Sequence, residues 1–351
     1  MKSTILGIET SCDDSSVAIV KSENETDGEV LFCVSQNQDK YHKVYGGVVP
    51  EIASRNHSEH LLPMIDFALK ETKLSFADVS AIAVTTRPGL VGSLMVGIVT
   101  AKALAIANSV PWVSVNHIRA HILSAFLSDP GETKDKKPNF PFVSMVVSGG
   151  HTHLFLVSSF DEIKLIGRTA DDAAGEALDK FAKLVGLGFP GGAKVDQHSQ
   201  GANSKAFDFV RPMMNTKNLA MSFSGLKTSA ANLLQPLSSE NIKQNLNDLC
   251  ASYQEAVVDI LIEKLRLAVE LHKVKCVSIV GGVSANSRLR VRAQELAKVL
   301  GLKLVIPHVK YSTDNAAMIG FAGAIEFRQS RFPSWDQGPL PMSQPQDFKT
   351  S

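Results

Sequence analysis

The chain has 351 residues, of which 44% are hydrophobic and 20% are charged. That length and composition predict about two globular domains, each with its own apolar core. Lys plus Arg number 36 against 35 for Asp plus Glu. This balance excludes a strongly basic nucleic-acid-binding protein, so any contact with RNA has to come from a local patch or from a partner.

The four cysteines are scattered, without Cys-x-x-Cys spacing, which is typical of reduced thiols in a cytoplasmic protein. The apolar run before Glu9 is very short, and Lys102 interrupts the apolar stretch from Leu90 to Ile106. We therefore expect neither a signal peptide nor a membrane span.

Two segments of similar build predict β-hairpins. Residues 4–22 run from an apolar strand into a polar turn and out into a second strand, with Thr10, Ser11, Asp13 and Asp14 at the tip. Residues 141–157 repeat this pattern around a turn at 148–152. The repetition predicts an internal duplication, with two lobes of related fold facing a cleft.

Between the hairpins, residues 50–72 have the apolar spacing of an amphipathic helix. Residues 81–85 and 112–115 read as short buried strands. We place the N-terminal lobe at 1–128, a linker at 129–140, the C-terminal lobe at 141–326 and a flexible tail at 327–351.

His117 and His121 follow the second of these strands. A spacing of four puts both imidazoles on one helix face, where they could share a metal ion. Asp314, which we expect to open a later helix, is the best third donor. Taken alone the pair also fits two surface or locally hydrogen-bonded histidines. Ile118 stands where a zinc peptidase carries its catalytic Glu, so peptidase chemistry lacks its base.

The second predicted lobe carries polar groups beside glycine-rich turns. We expect a helix at 171–180 with Asp172, Glu176 and Asp179 on one face, although such a face is usually only solvated. A strand at 276–280 opens onto Gly281-Gly282-Val283-Ser284-Ala285-Asn286 and then a helix, a plausible platform for a nucleotide base or ribose. Residues 222–228 lack the frame of a Walker phosphate loop.

Eight motifs, in this order along the chain, resemble a single protein family. They are Gly7-Ile8-Glu9-Thr10-Ser11-Cys12-Asp13-Asp14, Gly46-Gly47-Val48-Val49-Pro50-Glu51, Asn116-His117 with His121, Val147-Ser148-Gly149-Gly150-His151-Thr152, Asp171-Asp172-Ala173-Ala174-Gly175-Glu176, Phe223-Ser224-Gly225-Leu226-Lys227-Thr228, Gly281-Gly282-Val283-Ser284-Ala285-Asn286 and Thr313-Asp314-Asn315. The set, which covers residues 4 to about 326, is similar to the bacterial TsaD family. Its members are subunits of the tRNA threonylcarbamoyladenosine synthase and were formerly called O-sialoglycoprotein endopeptidases.

The resemblance implies an α/β fold of two duplicated lobes around a cleft, like actin, sugar kinases and heat-shock ATPases. It implies transfer of a threonylcarbamoyl group from threonylcarbamoyl-AMP to N6 of the adenosine 3′ of the anticodon, in tRNAs that read codons beginning with A. No covalent nucleophile is required for this acyl transfer.

The resemblance also implies the site residues. His117, His121 and Asp314 would hold one divalent metal ion, Fe²⁺ in the first place and Zn²⁺ as the other possibility. Asp13, Asp14 and Glu176 are candidate catalytic residues. The site for threonylcarbamoyl-AMP, ATP or AMP would be lined by Val146, Val147, Ser148, Gly149, Gly150, Asp179, Gly192, Asp196 and Asn286.

The implied partners are tRNA, a paralogous actin-like subunit of the TsaB type and a small ATPase of the TsaE type. A threonylcarbamoyl-AMP synthase would act upstream. We expect the helix at 50–72 to contact the paralogous subunit. Arg288, Arg292 and Lys227 are candidate tRNA contacts, with ordinary solvated charges as the alternative.

Two positions depart from the family pattern. Arg87-Pro88-Gly89 replaces the usual Gly-Pro-Gly, so either the turn is reshaped or it tolerates Arg. Ser312 replaces the usual Cys before Thr-Asp-Asn, which speaks against a required thiol. Two other functions remain open at this point: an ATP-dependent kinase or ATPase of the same fold, and a non-catalytic nucleotide-binding scaffold.

Overall fold

A computed structural model describes residues 2–132, 137–343 and 347–350 of the protein. It contains two compact units. The first unit consists of residues 1–137 and 307–347, and the second unit consists of residues 138–306 and 348–351. The predicted lobes differ from these units because residues 307–347 return to the first one.

The strands are β1 Ser3–Glu9, β2 Ser15–Ser22, β3 Gly28–Gln36, β4 Ala81–Arg87, β5 Trp112–Asn116, β6 Leu127–Ser128, β7 Phe142–Val147, β8 Thr152–Val157, β9 Ile163–Arg168, β10 Cys276–Val280, β11 Lys303–Val305 and β12 Lys349–Thr350. The α-helices are α1 Asp39–His42, α2 Pro50–Thr72, α3 Val91–Asn108, α4 His117–Leu123, α5 Ala174–Leu184, α6 Gly192–Ser199, α7 Ser224–Leu234, α8 Ser239–Gln244, α9 Leu246–His272, α10 Ser287–Leu300 and α11 Ala316–Arg328.

Each unit is built on one six-stranded sheet, and the two sheets have the same plan. The strand order is β5-β4-β1-β2-β3-β6 in the first unit and β11-β10-β7-β8-β9-β12 in the second unit. Each sheet contains a meander of three antiparallel strands. A fourth strand pairs in parallel with the first strand of the meander, and a fifth pairs in parallel with the fourth. The repeated strand order supports the predicted internal duplication.

Helix α11 packs closely on the sheet of the first unit, against β1, β2 and β4. The approach depends on Gly7, because a Cβ atom there would lie 2.3 Å from the carbonyl oxygen of Ala316. This contact fixes the start of α11, and therefore the segment just before it, on the carboxyl-terminal half of β1.

Helix α3 is the one helix among the described residues that is long and apolar enough to cross a membrane by length and composition alone. Its buried residues include Leu94, Ile98 and Ala101. The helix packs against α2 and β4 within the first unit, and a single helix of this kind is weak evidence for a membrane span.

Several sequence predictions are confirmed. Both hairpins form, with β1 paired to β2 and β7 paired to β8 in antiparallel register. Helix α2 spans Pro50–Thr72 as predicted. It begins with Pro at its first position, where no amide donor is required, and Lys73 ends it in the left-handed conformation.

Two predicted helix starts are wrong. Helix α5 begins at Ala174 rather than at Asp171, because the Asp171 carboxylate instead accepts hydrogen bonds from the backbone amides of Phe223 and Ser224. Asp314 does not cap α11. Asn315 does, since its side-chain oxygen accepts from the Met318 amide at 3.0 Å.

The linker predicted at 129–140 contains the change of unit at residues 137/138, and its residues 133–136 lie outside the described residues. Helix α11 ends at Arg328. Beyond it, Lys102 Nζ donates to the carbonyl oxygens of Trp335 and Gln337 at 2.6 and 2.8 Å, and the Leu340 amide donates to the Thr86 carbonyl at 2.9 Å. This differs from the flexible tail predicted at 327–351, of which 344–346 and 351 lie outside the described residues.

Arg87 anchors the end of this segment. It is the last residue of β4, in extended backbone, so the turn tolerates Arg in place of glycine. Its guanidinium donates to the Asp347 carboxylate from Nε at 2.8 Å and from Nη2 at 2.5 Å. Asn116 Nδ2 donates to the same carboxylate at 3.0 Å. The Asp347 side chain is 3% exposed, so these donors provide its solvation.

We expect Asp347→Ala to lower the free energy of unfolding by about 2 kcal/mol, because the buried Asn116 and the half-buried Arg87 lose a charged acceptor. Denaturant unfolding measures the loss, with the fully exposed Asp208→Ala as the control. The double variant Arg87→Ala/Asp347→Ala should lose less than the sum of the single losses. Additive losses would contradict a coupled pair.

Candidate metal centre and ligand cavity

The two histidines of the predicted metal pair lie on the short helix α4, which begins directly after β5. Asn116 caps this helix, since its side-chain oxygen accepts from the amides of Ile118 and Arg119 at 2.9 and 3.1 Å. One turn separates His117 from His121, and their ring centroids are 4.6 Å apart. The sequence therefore places both rings on one face of α4.

Asp314 joins them from the loop before α11. Its Oδ1 lies 3.1 Å from His121 Nε2 and 3.4 Å from His117 Nε2. One ligand atom from each of the three residues lies within 4.8 Å of the others. Two imidazole nitrogens and a carboxylate form a donor set that suits iron or zinc and leaves coordination positions for a substrate. The residues present therefore fit a divalent metal ion.

A fourth residue, Glu9, contacts the ring nitrogen of His117 that does not face Asp314. It ends β1 and is 1% exposed. Its carboxylate lies 2.8 Å from His117 Nδ1 and accepts from the Thr85 hydroxyl at 2.7 Å and from the Ser11 amide at 2.5 Å. A proton held on Nδ1 by this carboxylate leaves Nε2 of His117 as the metal-binding nitrogen.

The electrostatics of the centre favour a positive charge. Burial alone would lower the pKa of His117, but the neighbouring carboxylates of Asp314 and Glu9 raise that pKa well above its usual value. Burial alone would raise the pKa of Asp314, but the two histidines hold it well below its usual range. Two carboxylates that stabilise an imidazolium in this way would also stabilise a bound metal cation.

Asp13 and Asp14 lie in the turn between β1 and β2. Asp14 Oδ1 accepts from Asn37 Nδ2 at 3.1 Å. Burial, together with the nearby charge of Asp13, raises the pKa of Asp14 to about 7. A carboxyl group with that pKa can take up or release a proton near neutral pH.

The second unit contains a separate cavity of about 370 Å³, within the usual range of roughly 300–1,000 Å³ for small-molecule sites. Its lining is rich in small residues. The lining residues are Gly149, Gly175, Leu178, Asp179, Pro190, Gly192, Ala193, Asp196, Gly282, Val283, Ala285 and Asn286. Five of the nine residues expected at the adenylate site are in this lining: Gly149, Asp179, Gly192, Asp196 and Asn286.

Two glycines around the β7–β8 turn make this arrangement possible. A Cβ atom at Gly175 would lie 2.6 Å from the Ser148 carbonyl oxygen, and one at Gly281 would lie 2.5 Å from that of Val147. Gly281 also has φ 92°, which favours glycine. By contrast, a Cβ atom at Gly149 would meet nothing within 4 Å, so that residue leaves open space for a ligand.

The polar residues of the lining are held by hydrogen bonds within the protein. Asp179 Oδ1 accepts from the amides of Gly191 and Gly192 at 2.7 and 2.9 Å. Asp196 accepts from the hydroxyl and the amide of Ser287 at 2.7 and 3.1 Å. These carboxylates are oriented before any ligand arrives.

Asn286 has two structural roles in addition to its place in the lining. Its side-chain oxygen caps α10 by accepting from the Leu289 amide at 3.0 Å, and its Nδ2 donates to Gln254 Oε1 at 2.7 Å. The glycine turn, strand and helix predicted for this stretch are confirmed by β10 and α10.

Other predicted site residues lie apart from the lining. Val146 and Val147 are fully buried in β7, and Gly150 is exposed beside Gly149. Glu176 is 44% exposed and pairs with Lys180 at 2.9 Å. Ser148 accepts from the His151 amide at 3.2 Å within the turn.

The candidate tRNA contacts Arg288 and Arg292 are engaged in an ion-pair network. Arg288 Nη2 donates to Glu255 at 2.9 Å, and Arg292 Nη1 donates to Asp259 at 2.8 Å. Arg211 Nε donates to the same Asp259 at 2.8 Å. These carboxylates largely balance the charges of Arg288 and Arg292. The pairing argues against RNA contact, and it differs from the stated alternative of ordinary solvated charges because both side chains are held in ion pairs.

Sequence reasoning missed Glu9 as a functional residue, although it lies inside a quoted motif. The available signal was an acidic residue directly after the apolar run at 5–8, since such a group has to find a partner when buried. Gly175 and Leu178 were also missed, because helix positions reveal their neighbours only after the helix is placed.

Comparison with known proteins places the chain in a family. The family model described as TsaD, tRNA N6-adenosine threonylcarbamoyltransferase, matches residues 29–321. A protein of that name from Bdellovibrio bacteriovorus is 49% identical over 345 residues, which covers 98% of this chain and 99% of that protein.

Two solved structures share the fold at low sequence identity. HypF from T. kodakarensis has a TM-score of 0.60 and 12% identity, covering 96% of this chain and 49% of that one. The activator of 2-hydroxyisocaproyl-CoA dehydratase from Clostridium difficile has a TM-score of 0.51 and 13% identity, covering 93% of this chain and 97% of that one. These likenesses confirm the predicted α/β fold of the actin and sugar-kinase type. Since the family model covers most of the chain and the relatives match it almost end to end, the chain belongs to the TsaD family of tRNA N6-adenosine threonylcarbamoyltransferases.

Proposed function

We propose that the chain transfers the threonylcarbamoyl group of threonylcarbamoyl-AMP to N6 of the adenosine 3′ of the anticodon, in cytoplasmic tRNAs that read codons beginning with A. The reaction would use one divalent metal ion, Fe²⁺ or Zn²⁺, at His117, His121 and Asp314. The observation that supports this most is the meeting of both histidine Nε2 atoms at one Asp314 oxygen, with Glu9 behind His117.

The transfer forms a bond between N6 and the carbamoyl carbon and breaks the bond from that carbon to the phosphate oxygen of AMP. N6 is a weak nucleophile and loses a proton in the reaction. The protein therefore has to position N6, stabilise charge on the carbonyl oxygen and the departing AMP, and accept a proton. When bound, a divalent metal ion with open positions can act as a Lewis acid toward an oxygen of the substrate.

We assign these tasks to residues as follows. Glu9 holds the Nδ1 proton of His117, which keeps the ring in the orientation required of a ligand. Asp14 is our candidate for the group that accepts the proton, since burial and then the charge of Asp13 raise its pKa to about 7. Glu176 remains a predicted catalytic residue whose Lys180 pairing would have to be exchanged for a substrate contact.

The cavity of the second unit is our candidate for the adenylate site. Asp179, Asp196 and Asn286 offer hydrogen-bond acceptors and an amide to the ribose and base, while Gly149 offers free backbone at the turn. The turn would be supported by the neighbouring predicted residues: Val146 and Val147 at the end of β7, and Ser148 and Gly150 on either side of Gly149.

Partner subunits are expected because the first unit exposes apolar side chains on two helices that pack together. These are Leu62 and Phe67 on α2, which are 55% and 47% exposed, and Met95 and Val99 on α3, which are 44% and 56% exposed. We propose that this surface binds the paralogous actin-like subunit, and that a small ATPase joins the complex. Threonylcarbamoyl-AMP would come from a separate synthase.

The metal assignment predicts that His117→Ala and Asp314→Ala lose the bound metal and at least a hundredfold of the transfer rate, because two ligands cannot replace three. Metal analysis and transfer of labelled threonine to tRNA measure both effects. His272→Ala, in the last turn of α9, is the matched control. Full activity in a metal-free variant would contradict the metal site, and ATP hydrolysis without labelled tRNA would favour the ATPase alternative.

The adenylate assignment predicts that Asp196→Asn weakens AMP binding roughly tenfold, because an amide can accept at only one oxygen while Ser287 already uses the carboxylate. Titration calorimetry on the metal-loaded protein measures the Kd. Asp208→Asn, at a fully exposed position, should change nothing. An unchanged Kd in Asp196→Asn would contradict the assignment of this cavity as the adenylate site.

The partner assignment predicts that Leu62→Asp and Val99→Asp each prevent assembly with the paralogous subunit, since a charge would be buried in an apolar interface. Size-exclusion chromatography of the mixed subunits measures assembly. Val299→Asp serves as the control, because Val299 is 81% exposed on α10 of the second unit. Normal assembly of both α2 and α3 variants would overturn this surface.

A further inference from the structure

The segment between β3 and α2 carries an exposed group of aromatic and basic side chains. Tyr45 is 65% exposed, Val44 is 85% exposed and Tyr41 is 37% exposed. Lys40 and Lys43 are exposed beside them, and Lys40 Nζ lies 4.7 Å from the centre of the Tyr41 ring. We call these five exposed residues the Tyr41–Tyr45 surface, after its two aromatic rings. Its members are Lys40, Tyr41, Lys43, Val44 and Tyr45.

Buried polar contacts underneath hold this surface in place. Gln38 is 1% exposed, and its Oε1 accepts from Asn56 Nδ2 on α2 at 3.0 Å. His42 is fully buried, and its Nδ1 accepts from the Val49 amide at 3.2 Å. Exposed rings on a backbone fixed from below lose little conformational entropy when they bind a partner.

The same segment is tied to the β1–β2 turn. Asn37 donates to Asp14 at 3.1 Å. His57 on α2 approaches the carbonyl oxygen of Cys12 with Nε2 at 3.0 Å and the Ser15 hydroxyl with Nδ1 at 2.6 Å. Hydrogen bonds of the preceding Asn37 and of α2 therefore connect the segment that carries the Tyr41–Tyr45 surface to this turn.

The β1–β2 turn also contacts the candidate metal centre. Ser11 Oγ lies 3.3 Å from Nδ1 of His117, and the Ser11 amide donates to Glu9. A macromolecular substrate whose reacting atom is delivered to the metal centre would lie against neighbouring surface of the same unit. For the family's substrate, that macromolecule is a tRNA with an adenosine in an unpaired loop.

Aromatic rings interleaved with ammonium groups suit unpaired nucleotides, because every base offers a face for stacking and every phosphate a negative charge. A protein partner would require a larger apolar area than this short segment exposes, since two of its five exposed side chains are lysines. We propose that the Tyr41–Tyr45 surface binds unpaired nucleotides of the tRNA anticodon loop next to the acceptor adenosine. Tyr45 and Tyr41 stack on bases, and Lys40 and Lys43 contact phosphates. This inference rests on the proposed function.

The test compares Tyr45→Phe, which keeps the ring, with Tyr45→Leu, which keeps an apolar side chain without it. In the full chain assembled with its partner subunits, Tyr45→Leu should raise the KM for tRNA roughly 5- to 100-fold with little change in kcat, while Tyr45→Phe stays near wild type. AMP binding and metal content should not change in either variant. A KM change below twofold for Tyr45→Leu, or equal changes in both variants, overturns the proposal.

A binding measurement separates this inference from the transferase assignment. Fluorescence anisotropy with a labelled anticodon stem-loop RNA should show weaker binding by Tyr45→Leu whether or not transfer occurs. Lys40→Gln/Lys43→Gln should reduce the slope of log affinity against log salt by about one to two. If RNA binding is unchanged but assembly with a partner subunit is lost, the surface binds protein and the proposal is overturned. If RNA binding falls as expected but wild type never transfers label, only the transferase assignment fails.

Discussion

The Glu9 carboxylate ends the first strand of the sheet in a place that water hardly reaches, and its bond to His117 is the contact on which the metal centre depends. Burial alone would raise the pKa of Glu9, but the imidazole of His117 lowers it. Thr85 on β4 and the Ser11 amide provide its other hydrogen bonds. The carboxylate thus connects three parts of the first unit: the end of β1, the neighbouring strand and the start of α4. A charged group with so little exposure is stable only while all of these partners remain in place.

The two units share one strand plan, and the corresponding turns, β1–β2 and β7–β8, carry different functional groups. In each unit the turn after the first strand of the sheet presents backbone and side chains at the carboxyl end of that strand. In the first unit this turn carries Ser11, Asp13 and Asp14 beside a histidine helix. In the second unit it carries Ser148 and two glycines beside a cavity. Acidic and hydroxyl side chains suit cations and proton transfer, whereas bare glycine backbone suits an anionic phosphate.

The sequence predicted the elements whose signals are local. Helix α2 has a proline at its first turn and a clear apolar period, and the hairpins alternate apolar runs with polar turns, so their bounds were close to those observed. The sequence also predicted His117, His121 and Asp314 as one set. Residue chemistry made Asp314 the best third donor, and the family resemblance supported joining residues 193 positions apart. Contacts of that kind depend on the finished fold. The Arg87–Asp347 pair spans 260 positions, and no periodicity in either segment indicates it.

Helix starts were predicted less well because short polar side chains compete for the same role. Asp314 and Asn315 are both good capping residues, and the fold uses the amide as the cap and leaves the carboxylate for the histidines. Asp171 likewise caps α7 across a distance of 53 residues instead of starting α5. In both cases the local preference identified a polar residue near the helix start, but it could not show whether that side chain would cap the nearby helix or make a different contact.

The cavity of the second unit presents an apparent difficulty for an adenylate, since an anionic ligand would meet two carboxylates, Asp179 and Asp196. Their hydrogen bonds resolve it. Asp179 is already bound by two backbone amides and Asp196 by the amide and hydroxyl of Ser287. Donors on one side of each carboxylate reduce the field it projects toward a ligand, while its remaining lone pairs can still accept from ribose hydroxyls. The carboxylates therefore suit the sugar, and the phosphate is left to the glycine turn at Gly149, where no side chain stands in its way.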